Sequence, residues 1–219
     1  MIIQNLKAIK NEIGNTKLLV VTKNRSIEEL YELYNCGQRM FGENRVQELV
    51  TKYELLPKDI KWHLIGHLQT NKVKYIAPFV HMIHSVDSLK VLKEINKQAK
   101  KHNRSIGILF QVHIAEEESK FGFNREELLE VINNPILDEM SNVEFCGLMG
   151  MATNTDNSDQ VEQEFTDLKK LFEIVRDLKN EWKTFTELSM GMSQDCQIAV
   201  KCGSTMVRIG SRIFKQNSC

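Results

Sequence analysis

Long apolar runs are missing from this 219-residue chain, and no stretch is long enough to span a bilayer as a helix. A surplus of either charge is missing too. Lysine plus arginine number 29 and aspartate plus glutamate 29, so no broad pull toward nucleic acid or an anionic membrane is expected, and neither is expected as a partner. Proline occurs only three times, and no Gly/Ser-rich linker, repeat or low-complexity tract divides the chain. Residues 1–219 are therefore expected to form one domain, long enough to bury a substantial core. The five cysteines (Cys36, Cys146, Cys196, Cys202, Cys219) are odd in number and form no C-x-x-C pair. That pattern argues against a disulfide framework or thiolate zinc site and fits free thiols in a reducing cytoplasm. Met1 to Gly14 lacks the apolar core of a signal peptide; Ile2, Leu6, Ile9 and Ile13 instead fall on one helical stripe.

What the chain does contain is an alternation. Strand-like runs are expected at 18–23, 39–44, 61–66, 81–86, 105–114, 143–149, 184–190 and 206–209. Helical patterns separate them at 26–36, 46–53, 71–77, 88–102, 124–132, 159–180 and 193–202. Ser26 reads as an N-cap followed by Glu28 and Glu29, and Gly37 as a helix stop. Eight strands alternating with helices predict an α/β fold, a single (β/α)8 TIM-type barrel with an extra N-terminal helix. A doubly wound open sheet is the alternative, because periodicity does not report closure. No G-x-G-x-x-G follows the first strand, which removes the usual dinucleotide mark of that alternative.

In such a barrel, chemistry collects at the C-terminal ends of the strands. Those ends carry Lys23, Glu43-Asn44, His63 to Gly66, Ser119 to Gly122, Met149, Ser189 to Ser193 and Arg208 to Ser211. Lys23 closes the run Leu18-Leu19-Val20-Val21-Thr22 and has two readings. It is either a solvated strand terminus or an amine whose desolvation makes it nucleophilic toward an aldehyde. Gly191 and Gly210 read as turn glycines or as an anion cradle, and Ser193 as an N-cap or a phosphate contact. Arg208 lies within an apolar strand and requires an acceptor or an anion. His63 and His67 are four apart on a strand pattern with no completing ligand, so no metal is expected. His81 and His84 read as structural.

An aldehyde-binding lysine and a phosphate cradle on one mouth point to pyridoxal 5′-phosphate. The segments that carry a resemblance run in order along nearly the whole chain. They are Val21 to Lys23, Phe41 to Asn44 with Val46 to Glu48, Trp62 to Lys72, Ser119 to Gly122, Gly147 to Met149, Leu188 to Ser193, and Gly203 to Gly210. On these the chain resembles the pyridoxal phosphate homeostasis family, related to the barrel domain of alanine racemase. The resemblance implies pyridoxal 5′-phosphate as cofactor, with a Schiff base at Lys23 and Arg208 facing the pyridine nitrogen. It implies phosphate contacts from Ser189, Ser193, Gly210 and Ser211, and pocket positions at Asn44 and His63. Two departures are Thr22 in place of a small residue before the lysine and Lys215 in place of a glycine after Ile213-Phe214.

The function expected is a cytoplasmic monomer that holds pyridoxal phosphate and delivers it to PLP-dependent apo-enzymes, without significant turnover. An unprotonated ring nitrogen beside a guanidinium is a poor electron sink, and no residues after Cys219 supply the second domain that the related racemases use. A small amino-acid racemase-like enzyme is the competing reading. A scaffold that has lost the cofactor is disfavoured by the presence of Lys23 and Arg208.

Overall fold

The computed structural model describes residues 1–117 and 121–215. Its centre is a closed barrel of eight parallel strands in chain order, β1 to β8, with β8 returning to pair with β1. The strands are β1 (Lys17–Val21), β2 (Met40–Glu43), β3 (Lys61–Leu64), β4 (Met82–Val86), β5 (Ile106–His113), β6 (Val143–Met151), β7 (Glu187–Ser189) and β8 (Met206–Ile209). Closure is set by register: Leu18 pairs with Val207 and Leu19 with Arg208 across the β1–β8 seam.

The helices are α1 (Ile2–Ile13), α2 (Ile27–Asn35), α3 (Val46–Leu55), α4 (Val73–Ile76), α5 (Leu89–Lys101), α6 (Arg125–Ile132), α7 (Ser158–Leu178), α8 (Cys196–Lys201) and α9 (Ser211–Phe214). The leading helix buries Leu6, Ile9 and Ile13, as its stripe predicts. Capping boxes start α2 and α6: Ser26 with Glu29, and Asn124 with Glu127, each satisfying two backbone donors reciprocally. Among the described residues no helix is long and apolar enough to cross a membrane.

Two apolar clusters follow from strand alternation. The larger lies between the barrel's outer face and the helices and includes Val20, Phe41, Trp62, Phe110, Leu148, Phe165 and Val207. The smaller consists of Met82, Leu109, Cys146 and Met149, inside the barrel. Burial inside pushes the Cys146 thiol up to about 11.

Several expected boundaries move. The first strand ends at Val21 rather than Lys23, because the chain turns there, and the sixth runs two residues further, to Met151. The seventh is only three residues. The helix expected from Ser193 begins at Cys196, since residues 193–195 form a turn. The short α9 and a 3-10 turn at Pro135–Glu139 were not apparent from periodicity; each is too short to show it.

A register shift between β5 and β6 at Ile108/Leu109 places Gly147 opposite Leu109. Gly147 has φ 153°, and a Cβ there would lie 1.7 Å from the Glu187 carbonyl oxygen. Gly147→Ala is expected to destabilise the barrel, with backbone strain alone costing about 1–3 kcal/mol. Urea unfolding checks this, and an unchanged midpoint would show that the backbone yields without cost.

Candidate functional site

The C-terminal mouth of the barrel opens into a cavity of about 770 Å³. Lys23, Ser193, Arg208, Gly210 and Ser211 all line it. The opposite wall is the loop after β6, from Ala152 to Asp156, with Ser158.

Lys23 reaches the cavity from a turn. The Arg25 N–H donates to the Thr22 carbonyl at 3.1 Å, and Asn24, third in this turn, has φ 58°. Asparagine tolerates that left-handed conformation better than most residues. The turn sits just past the end of β1 and is held to the barrel by the Thr22 N–H, which donates to the Gly42 carbonyl at 2.9 Å. Lys23 itself is exposed. The strand ends two residues before Lys23, which puts this side chain at the rim instead of in the buried strand.

Arg208 is 4% exposed, on β8. Its Nη1 donates to the Ser189 carbonyl at 2.7 Å and to Ser189 Oγ at 2.8 Å, and its Nη2 donates to the Gly150 carbonyl at 2.9 Å. These acceptors answer the partner question that the sequence poses for a buried guanidinium. Burial lowers its pKa to about 10, while Asp195 acts in the opposite direction. At neutral pH Arg208 remains a cation.

Beneath it runs a chain of side chains. Ser189 Oγ lies 3.1 Å from His84 Nδ1, and His84 Nε2 lies 2.8 Å from His63 Nδ1. Strands β4 and β7 are not neighbours, so the His84–Ser189 contact crosses the lumen. Burial, with the neighbouring cations, pushes His63 down to about 3 and His84 well below the ordinary histidine value. Both rings are neutral at physiological pH.

Three expected site residues are thus placed differently from the other five. Ser189 is fully buried and its hydroxyl is engaged by Arg208 and His84, so it lies under the arginine and does not line the cavity. His63 is 1% exposed inside the barrel and is likewise absent from the cavity wall. Asn44 follows β2 and also lies off the wall, although its side-chain oxygen is buried without a hydrogen-bond partner. The alternation of β3 and β7 sends His63 and Ser189 into the lumen, whereas the loops past the strand ends make the mouth. His67 stands apart from His63, on the surface beside Asp87 at 3.0 Å. Ser119 and Lys120 of the Ser119–Gly122 segment lie outside the described residues.

The family model described as the alanine racemase N-terminal domain matches residues 1–218. The pyridoxal phosphate homeostasis protein of Aquifex aeolicus (strain VF5) is 42% identical over 200 residues, covering 90% of this chain and 86% of that one. The chain belongs to the pyridoxal phosphate homeostasis family. A solved structure is similar throughout: PipY of Synechococcus elongatus PCC7942, at 31% identity, covers 98% of this chain and all of its own. The TM-score is 0.92 for PipY without PLP and 0.88 with PLP bound. An alanine racemase of Clostridium difficile 630, 16% identical with a TM-score of 0.76, shares the fold, and the match spans 57% of that enzyme.

Within this homeostasis-family barrel, sequence reasoning missed the wall from Ala152 to Ser158. A signal was present, since the polar run Thr153-Asn154-Thr155-Asp156-Asn157-Ser158 follows a strand directly. That wall is fastened to α7, where Thr153 N–H and Oγ1 donate to Glu164 at 2.7 and 2.6 Å. Asp195 was also missed; it accepts the Met192 N–H and so shapes the Ser193 turn.

Proposed function

We propose that this chain binds pyridoxal 5′-phosphate in the mouth cavity and holds it for delivery to PLP-dependent apo-enzymes, with no appreciable turnover of its own. The protein is taken to act as a single unit over residues 1–219, as a monomer. The observation that carries the reading is convergence: the Lys23 side chain, a buried cation, two serines and a glycine line one cavity. Names and structures of the relatives point the same way, since PipY has been solved with PLP bound.

The donor set fits the group. Ser193 and Ser211 bring hydroxyls from the loops after β7 and β8, where this fold commonly receives phosphate. Gly210 leaves its backbone open there, and a Cβ would come within 2.9 Å of the Val21 carbonyl oxygen and narrow the cradle. Among the described residues that line the cavity, Lys23 is the one with a primary amine to offer an aldehyde.

When bound, pyridoxal phosphate supplies a reactive aldehyde and an electron-withdrawing ring. The protein's residues decide how far that chemistry goes. Arg208 offers N–H donors and keeps its own proton, so it can hold a ring nitrogen by hydrogen bonding without protonating it. A ring left unprotonated withdraws electrons weakly, which favours holding the cofactor over transforming amino acids on it.

Borohydride reduction of the loaded protein, followed by peptide mass mapping, is expected to leave the pyridoxyl group on Lys23. A group found only on Lys72 or Lys120 would overturn the assignment. Incubation with L- or D-alanine in deuterated water tests turnover. Enzymes commonly work at about 1–1000 per second, whereas we expect deuterium to enter the α-position only slowly. Rapid incorporation dependent on Lys23 would replace the carrier reading with the racemase-like one.

A further inference from the structure

The turn that presents Lys23 rests on a buried ion pair. Lys52 of α3 and Glu43 at the end of β2 have side chains only 7% and 0% exposed, and Lys52 Nζ donates to Glu43 Oε2 at 2.6 Å. The same ammonium donates to the Thr22 backbone carbonyl at 2.7 Å and approaches Glu48 Oε2 at 3.4 Å. Glu43 is shared in turn. Its Oε2 accepts from Thr22 Oγ1 at 2.8 Å, and its Oε1 accepts from the Asn44 N–H at 2.8 Å. Glu48 accepts from the Asn24 N–H at 3.3 Å.

The pattern of ties is specific. Both neighbours of Lys23, Thr22 and Asn24, are fastened to this cluster, and so is the backbone of Asn44. The Thr22 carbonyl that receives Lys52 is the one that closes the Lys23 turn. A buried ion pair is a weak source of stability, because desolvation offsets much of the Coulomb attraction, and apolar residues of similar volume often do as well. What this one supplies is direction. It fixes the backbone on both sides of an amine whose side chain stays exposed.

We propose that Lys52 and Glu43 are positioning residues: they hold the Lys23 turn in the arrangement that captures an aldehyde at the cavity mouth. The identity of that aldehyde, pyridoxal 5′-phosphate, rests on the function proposed above. Holding an amine in a near-attack position raises its effective concentration toward a bound partner. The ion pair therefore acts on the aldehyde step and leaves phosphate recognition by Ser193, Gly210 and Ser211 unaffected.

The test uses the full chain and two ligands, pyridoxal 5′-phosphate and 4′-deoxypyridoxine 5′-phosphate, which has the same ring and phosphate but a methyl group in place of the aldehyde. Glu43→Gln with Lys52→Met removes both charges together, so that neither is left buried alone. We expect this double variant to melt close to wild type and to bind pyridoxal phosphate about tenfold more weakly, as for loss of one good hydrogen-bonded orientation. Its affinity for the deoxy analogue should stay within about twofold of wild type, a free-energy change of less than half of RT ln 10. Lys52→Arg, which keeps the charge, should recover part of the lost affinity.

Equal loss for both ligands in a folded variant, or no loss for either, overturns the proposal. If the double variant does not fold, Thr22→Val serves instead: it deletes the hydroxyl tie to Glu43 and keeps the ion pair, and the same selective loss is expected. Should wild-type protein bind neither ligand, the cofactor reading fails. Hydrogen exchange of the Arg25 amide in the apo protein then decides the positioning claim. Faster exchange in the folded variant supports it, and unchanged exchange overturns it.

Discussion

Gly210→Val is expected to weaken pyridoxal 5′-phosphate binding by about 10- to 150-fold while leaving pyridoxal affinity nearly unchanged. That range corresponds to the loss of one charge-assisted hydrogen bond, about 1.5–3 kcal/mol. Gly210 lines the cavity between Arg208 and Ser211, where backbone and hydroxyl donors converge. Its φ of −128° is not left-handed, so the argument against a side chain here is one of space. A Cβ there meets Val21 O at 2.9 Å and Val21 Cβ at 3.1 Å, and the branched methyls beyond it take up room beside the donors. Ser193→Ala should act in the same direction with a smaller effect, because it removes a hydroxyl without adding bulk. Titrating the two ligands against each variant checks this. If pyridoxal and its phosphate weaken equally, these loops do not read phosphate.

The second large effect is loss of stability in mild acid. His63 has an ordinary pKa of 6.5 that burial lowers to about 3, and His84 moves in the same direction. A histidine held neutral in the folded state binds its proton more readily when unfolded, so falling pH favours unfolding. The stabilising contribution is complete above pH 6.5. It is lost at about 1.4 kcal/mol per pH unit below that, so that for His63 alone the loss is about 2 kcal/mol at pH 5 and about 5 kcal/mol near pH 3. That loss is comparable to the whole stability of many domains, about 5–15 kcal/mol. Carboxylates such as Glu12, Asp59 and Asp167 are shifted down by hydrogen bonds and contribute only as pH falls below their ordinary values, 4.5 for glutamate and 3.8 for aspartate. Between pH 6.5 and 5, histidines therefore dominate. Urea midpoints across that window should fall in wild type and fall less in His63→Asn, whose amide can still meet His84. Identical slopes for the two proteins would show that His63 is not the group taking up the proton.

The two effects separate what sequence could show from what it could not. The repeating pattern of apolar runs and helical stripes was enough for an eight-stranded barrel, because period 2 and period 3.6 are written directly in residue order. Lys23, Ser193, Arg208, Gly210 and Ser211 could be singled out for a similar reason. Each lies at or just past the C-terminal end of a strand, and parallel topology brings such ends together whatever the details of packing. The motifs also carried the family, since they persist in order along the chain.

Which way a side chain points was a different matter. His63 and Ser189 sit at strand ends in the sequence exactly as the cavity residues do, yet they turn into the lumen and meet through His84, 21 and 105 residues away. Inward or outward placement depends on where a strand stops and how the barrel closes, and a shift of one residue reverses it. The exposure of Lys23 was decided in the same way, by a turn at Thr22 that ends β1 at Val21. Lys52 shows the limit most clearly. In the sequence it is one lysine of an amphipathic helix, with Glu48 four residues before it as an ordinary surface pair. Only the closing of β1 against β2 brings the Thr22 carbonyl and the Glu43 carboxylate to its ammonium, and burial among those acceptors makes it a support for the site. Residue order determined the barrel and the chemistry available at its mouth; tertiary packing decided which groups face the cavity and which hold the others in place.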